Sequence, residues 1–139
     1  MGAGYYVGAS HGAMTDRGFL SVQAGVHNNQ LEDSLKAILA EFRRLKEELV
    51  SEKELKKTKE YLIGHLKLGL EKSDEVAEFF GGQEVLRKPI ETPEEMIVKI
   101  NKVTAQDIQK LAKEIFTNAR LNLTLVGPTK PNIAKILRI

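Results

Sequence analysis

Cysteine is absent from the chain's 139 residues, which excludes disulfides and thiolate metal sites outright. No stretch approaches the roughly 18 apolar residues of a membrane span. The first residues carry no basic region followed by a long apolar run, so no signal peptide is expected. Low-complexity segments, linker-like runs and internal repeats are also missing. Nor is there an excess of one charge: 21 Lys and Arg face 19 Asp and Glu, for a net charge of +2. That balance argues for neither a nucleic acid nor an anionic membrane as partner. With no leader and no Cys, the cytoplasm is the expected compartment.

What is present fits a single domain spanning 1–139. A chain of this size buries about 70% of its unfolded surface without staples. The hydrophobic fraction of 42% is ordinary, and 29% charged residues solvate the surface well.

Residues 4–11 alternate as a strand, with Tyr5, Val7 and Ala9 on one face and Tyr6, Gly8 and Ser10 on the other. Met14-Thr15-Asp16-Arg17-Gly18 reads as a turn. Residues 19–27 form a second alternating strand, with Leu20, Val22, Ala24 and Val26 on its apolar face, so the two make an antiparallel hairpin. The period then changes from 2 to 3.6. Asn28 or Asn29 can cap a helix whose stripe runs through Leu31, Leu35, Ile38, Leu39, Phe42, Leu45 and Leu49. Ser51-Glu52-Lys53-Glu54 is a capping box. It opens a helix with Leu55, Leu62, Leu66 and Leu70. Ser73 can cap a third helix, weakened or kinked by Gly81-Gly82. Thr92-Pro93-Glu94-Glu95 starts a fourth. Thr104-Ala105-Gln106-Asp107 starts a fifth, with Ile108, Leu111, Ala112, Ile115 and Phe116 inward. Residues 120–126 close as a strand, with Leu121, Leu123 and Leu125 alternating. Segregated elements of this kind predict an α+β fold: an antiparallel sheet with about five helices on one face. Three strands are few for so many helices, and a preceding strand and helix would give them a wider sheet.

Candidate chemistry is sparse. Neither HExxH nor HxxEH occurs among His11, His27 and His65. A turn centred on Asp16-Arg17 sets His11 opposite Val22 and His27 opposite Tyr6. The two imidazoles are then some 15 Å apart at about 3.3 Å per residue, too far to share a metal. All three histidines read as surface or partly buried structural residues. Gly2-Ala3-Gly4 and Gly81-Gly82 match neither a dinucleotide fingerprint nor a P-loop. Lys53, Lys56, Lys57 and Lys59, interleaved with Glu52, Glu54 and Glu60, read as a solvated helix face. Glu47-Glu48 and Glu94-Glu95 are adjacent on helices and diverge, so they form no acid–base pair. The residues by themselves indicate no active site: no catalytic residue and no metal ligand.

The ordered features resemble one family over nearly the whole chain, from about Gly2 to Pro128. Gly2-Ala3-Gly4-Tyr5 matches the last four positions of an R-E-x-x-G-L-x-Y segment, with Ala3 in place of Leu. Thr15-Asp16-Arg17-Gly18-Phe19 resembles that family's hairpin turn, and Ala24-Gly25 the end of its second strand. Ser51 to Lys59 resembles a "t-x-x-E-L-x-x-a-K" helix start. Val103-Thr104-Ala105-Gln106-Asp107-Ile108 resembles "V-T-x-x-D-V". Leu123-Thr124-Leu125-Val126-Gly127-Pro128 resembles a closing "l-x-v-V-G-P". Together they resemble the C-terminal, non-zinc half-domain of pitrilysin/insulinase-type zinc peptidases, which include the mitochondrial processing peptidases and the bc1-complex core proteins.

The resemblance implies repeated α+β half-domains, with the HxxEH zinc site only in the first. Zinc is therefore expected in a partner half, of the same protein or another subunit, and not in this chain. The chain is expected to be inactive alone, to lack the strand and helix that normally precede the motif, and to bind peptide substrate as the opposite wall of a closed chamber. In the family an Arg and a Tyr of this segment reach toward the scissile bond. Tyr5 matches the Tyr, and the Arg falls ahead of Met1, outside this sequence. The alternative reading is an inactive scaffold subunit resembling the processing-peptidase or core proteins. A sheet edge left exposed would also favour a homodimer.

Overall fold

In a computed structural model of the chain, the described residues are 4–128 and 133–139, the side chain of Ala134 excepted. Gly2 and Ala3 of the N-terminal match lie outside them. Strand β1 (Gly4–Ala13) and strand β2 (Gly18–Val26) are followed by a 3₁₀ turn over Asn28–Gln30. Five helices come next: α1 (Leu31–Glu47), α2 (Glu52–Gly69), α3 (Ser73–Val85), α4 (Pro93–Lys102) and α5 (Ala105–Ile115). Short 3₁₀ turns cover Asn118–Arg120 and Ile133–Ile136. The fold is α+β, as the segregated periodicities predict, with one two-stranded antiparallel sheet among the described residues.

The chain divides into two compact units. The first comprises Met1–Ala13, Gly18–Leu49 and Ile108–Ile139; the second comprises Met14–Arg17 and Val50–Asp107.

In the first unit the apolar stripe of α1 supplies buried Leu35 and Leu39, and the α5 segment supplies buried Ala112 and Phe116. Leu39 retains 1% of its accessible surface. The rings of Phe42 and Phe116 stack at 4.3 Å between centroids and 10° between planes, which ties the two helices directly. The C-terminal segment is fixed to this core region by two hydrogen bonds. Arg43 donates to the carbonyl of Arg138, and the amide of Ile139 donates to Asn118 Oδ1 at 2.9 Å. Two expected core positions lie elsewhere: Leu49 falls beyond the end of α1, and Leu111 is 54% exposed.

The second unit is held by helix ends more than by a core. No residue of α2, α3 or α4 is buried. Ser51 Oγ accepts from the amide of Glu54, so the cap expected there forms. Thr92 and Glu95 form a complete capping box around Pro93. The amide and hydroxyl of Thr104 donate to the Asp107 carboxylate, and Thr104 Oγ1 accepts from the amide of Asp107. Lys59 donates to the carbonyl of Asn101 at 2.8 Å, satisfying an orphan acceptor at the end of α4. Lys59 is thus a capping residue and not one more solvated charge. Gln83 grips the α3–α4 connection by donating to the carbonyl of Glu91 and accepting from its amide.

Three expectations need correction. Residues 121–126 do not form a strand. Burial alternates along them as expected, but a strand needs a ladder partner, and β1 and β2 pair only with each other among the described residues. Helix α1 is entered through the 3₁₀ turn without a side-chain cap from Asn28 or Asn29, and Ser73 is the first residue of α3 rather than its cap. Helix α3 continues through Gly81-Gly82, thirteen residues of ladder outweighing the roughly 1 kcal/mol that each glycine costs.

Leu39→Ala is expected to destabilise the chain by about 2–5 kcal/mol in denaturant titration, as a buried leucine truncation. Gly81→Ala is expected to stabilise it by about 0.5–1 kcal/mol, since an added Cβ meets nothing within 4 Å.

Candidate functional site

The hairpin carries the one site that motif and geometry both indicate. Its strands pair His11 with Leu20, Ala9 with Val22 and Tyr6 with Gly25. This register differs by two from the expected one. The strands are joined by Met14–Arg17, closed by a hydrogen bond from the Met14 amide to the Arg17 carbonyl at 2.8 Å, so the centre lies one residue earlier. Within that turn the Arg17 guanidinium contacts Asp16 at 2.8 Å and holds its carboxyl below the usual carboxylate range.

The pairing slips at the base of the hairpin. Gly4 pairs with Val26 and Tyr6 with Gly25, so Tyr5 is the extra residue of a β-bulge. Bulges re-aim side chains and increase twist. Gly4 is what lets the strands close there: a Cβ on it would stand 2.5 Å from the Gly25 carbonyl oxygen and 3.1 Å from Val26 Cγ1. The Tyr6 ring lies over Gly25, and the Phe19 ring over Gly12, covering the small residues of the opposite strand. Tyr5 is 76% exposed. Its hydroxyl is 3.4 Å from His27 Nδ1, and the two rings lie 4.8 Å apart at 49°.

His27 was expected to be structural, and sequence offers no reason to join it to Tyr5. The expected register sets His27 opposite Tyr6; in the observed pairing, centred one residue earlier and bulged at Tyr5, it is the Tyr5 ring that His27 meets. The other histidines stay apart. His11 is on β1 opposite Leu20, seven residues along β2 from His27 and so on the order of 20 Å away. His65 packs against the Tyr61 ring at 4.4 Å on α2. All three are exposed. Among the described residues no group of three or more His, Asp or Glu could hold a metal ion, and no helix is long and apolar enough to cross a membrane.

The other concavities are shallow. A depression of about 360 Å³ along α2 is bordered by Glu52, Lys56, Lys59 and Glu60, whose charges are of mixed sign. A second, of about 190 Å³, lies beside His65 and Phe79. Neither gathers convergent polar groups of the kind that define a small-molecule site.

Comparison with known proteins agrees with the family resemblance. Residues 1–62 match the family model described as the Peptidase M16 inactive domain. The chain is 30% identical over 128 residues to a Bacillus subtilis (strain 168) protein described as the uncharacterized zinc protease YmxG, covering 92% of this chain and 31% of the relative. It is 29% identical over 120 residues to the mitochondrial-processing peptidase subunit beta of Saccharomyces cerevisiae (strain ATCC 204508 / S288c), covering 85% of this chain and 26% of that subunit. The chain therefore spans less than a third of the length of either relative.

Gly4→Ala is expected to force β1 away from the Gly25 carbonyl and to separate the Tyr5 and His27 rings, seen as loss of their mutual ring-current shifts by NMR. Gly8→Ala, whose Cβ enters open space, is expected to leave those shifts in place.

Proposed function

Because the chain belongs to the pitrilysin/insulinase-type (M16) zinc peptidases, as their inactive C-terminal-half domain, we propose that it binds peptide substrate and closes the chamber opposite a zinc-bearing half. The observation that carries this reading is Tyr5. It resembles the family's substrate-facing Tyr in its motif, and its ring is exposed, as a group that must meet a partner has to be.

The chemistry asked of Tyr5 is modest and specific. A phenol O–H donates a hydrogen bond to the carbonyl oxygen of the peptide bond under attack, and more strongly as that oxygen gains charge. One such donor contributes about 10²–10³ in kcat, or about 3–4 kcal/mol of barrier. Zinc in the partner half supplies the Lewis acid that polarises the same carbonyl and activates water. This chain's part is to bind, orient and exclude solvent.

Two further features support a domain that works against a partner. The outer edge of β1 has no ladder partner among the described residues, so it is available to an extended peptide, a strand of the zinc-bearing half or a second copy. Large apolar residues also stay exposed along the hairpin and α2, among them Tyr6 (62%), Val7 (72%) and Leu68 (65%), as expected of a surface completed by another domain.

The full chain alone is expected to show no chelator-sensitive peptide cleavage. Assembled with its zinc-bearing half it is expected to cleave, and Tyr5→Phe is expected to lower kcat by about 10²–10³ with zinc content and melting temperature unchanged. Unchanged kcat in that variant would overturn the role of Tyr5. An assembly that forms but never cleaves would favour the scaffold reading.

A further inference from the structure

A side chain that must donate to a reaction centre has to be held in place, and the backbone of Tyr5 does not hold it. Tyr5 is the extra residue of the bulge, on a strand whose outer edge has no ladder partner among the described residues, with its ring in solvent. His27 is anchored differently. It stands where β2 ends, its carbonyl accepts from the Gln30 amide at 2.9 Å, and that 3₁₀ turn leads straight into α1 with its buried Leu35 and Leu39. The histidine is thus tied through the turn to the helix that carries the buried core of the first unit, and it meets Tyr5 twice. The ring contact at 4.8 Å limits the rotation of the phenol, and Nδ1 lies 3.4 Å from the phenol oxygen.

We propose that His27 is the positioning residue for Tyr5: its Nδ1–H donates to the phenol oxygen, which fixes the ring and leaves the Tyr5 O–H free for the peptide carbonyl. This rests on the substrate-facing role of Tyr5 given above. The direction of the hydrogen bond matters. If Nδ1 accepted from Tyr5, the phenol proton would be spent on the imidazole and unavailable to substrate. With Nδ1–H as donor, the chain imidazole–phenol–carbonyl runs one way, and each bond polarises the next. A separation of 3.4 Å without substrate is long, as such contacts are before the carbonyl arrives to tighten them. No other described residue is within hydrogen-bond reach of the Tyr5 hydroxyl.

The test has one arm that needs no substrate. In the full chain, ¹⁵N shifts of the His27 ring are expected to report the Nδ1–H form and to change in Tyr5→Phe. Ring shifts that ignore Tyr5→Phe would overturn the proposal whatever Tyr5 does. In the assembled peptidase, His27→Ala is expected to lower kcat by about 10- to 100-fold with KM and melting temperature unchanged, the scale of a displaced catalytic donor. His27→Asn, whose amide falls near the Nδ1 position, is expected to recover most of that loss. His27→Gln, whose amide falls near Nε2, is expected not to. If Tyr5→Phe lowers kcat and His27→Ala does not, the proposal fails and the substrate-facing role of Tyr5 stands. If neither variant lowers kcat, both fail.

Discussion

The packing of α1 against α5 is the contact on which the rest of the first unit depends. Leu35, Leu39, Ala112 and Phe116 are its buried residues, and the Phe42–Phe116 stack joins the two helices ring to ring. Its consequence reaches beyond stability. Holding α1 holds the 3₁₀ turn at its start, the turn holds His27, and His27 stands at the phenol of Tyr5. The exposed end of the hairpin is therefore referenced to the core through a short run of backbone, although Tyr5 and its neighbours on β1 are themselves in solvent.

The two units use different physics. The first buries side chains. The second buries none in α2, α3 or α4 and instead satisfies its helix ends: Ser51, Thr92 and Thr104 at N-termini, Lys59 at the end of α4, Gln83 in the connection after α3. Caps contribute about 1 kcal/mol each, which organises helices but is modest beside a buried core. A unit of that kind gains most from apolar contact with another domain. This agrees with relatives of which the chain spans less than a third.

Catalytic groups in such an arrangement are divided between halves. On the proposed reading, this chain contributes a hydrogen-bond donor, extended edge surface and the exclusion of water. None of these requires a metal ligand or a strongly perturbed acid. The Gly4-Tyr5 pair shows how little sequence this takes. A missing Cβ allows the strands to close at 2.5 Å from where it would sit, and the pairing slips by one with Tyr5 as the extra residue.

Much was legible in the residues because it is local. The change of period from 2 to 3.6 after Val26, the Ser51 cap, the Thr92 capping box and the apolar stripe of α1 as far as Leu45 depend on neighbours within a few positions, and each forms as read. The ordered motifs, Gly4-Tyr5 foremost, were enough to indicate the family. Tertiary structure decided what depends on distant partners. Residues 121–126 alternate like a strand but find no ladder. Leu111 lies on the expected face of α5 yet stays in solvent. Lys59 reaches a carbonyl forty-two residues away. The Tyr5–His27 contact spans twenty-two residues and joins the extra residue of the bulge to the residue just beyond β2. A one-residue slip reverses which side chains meet across two strands, and no periodicity in the sequence records it.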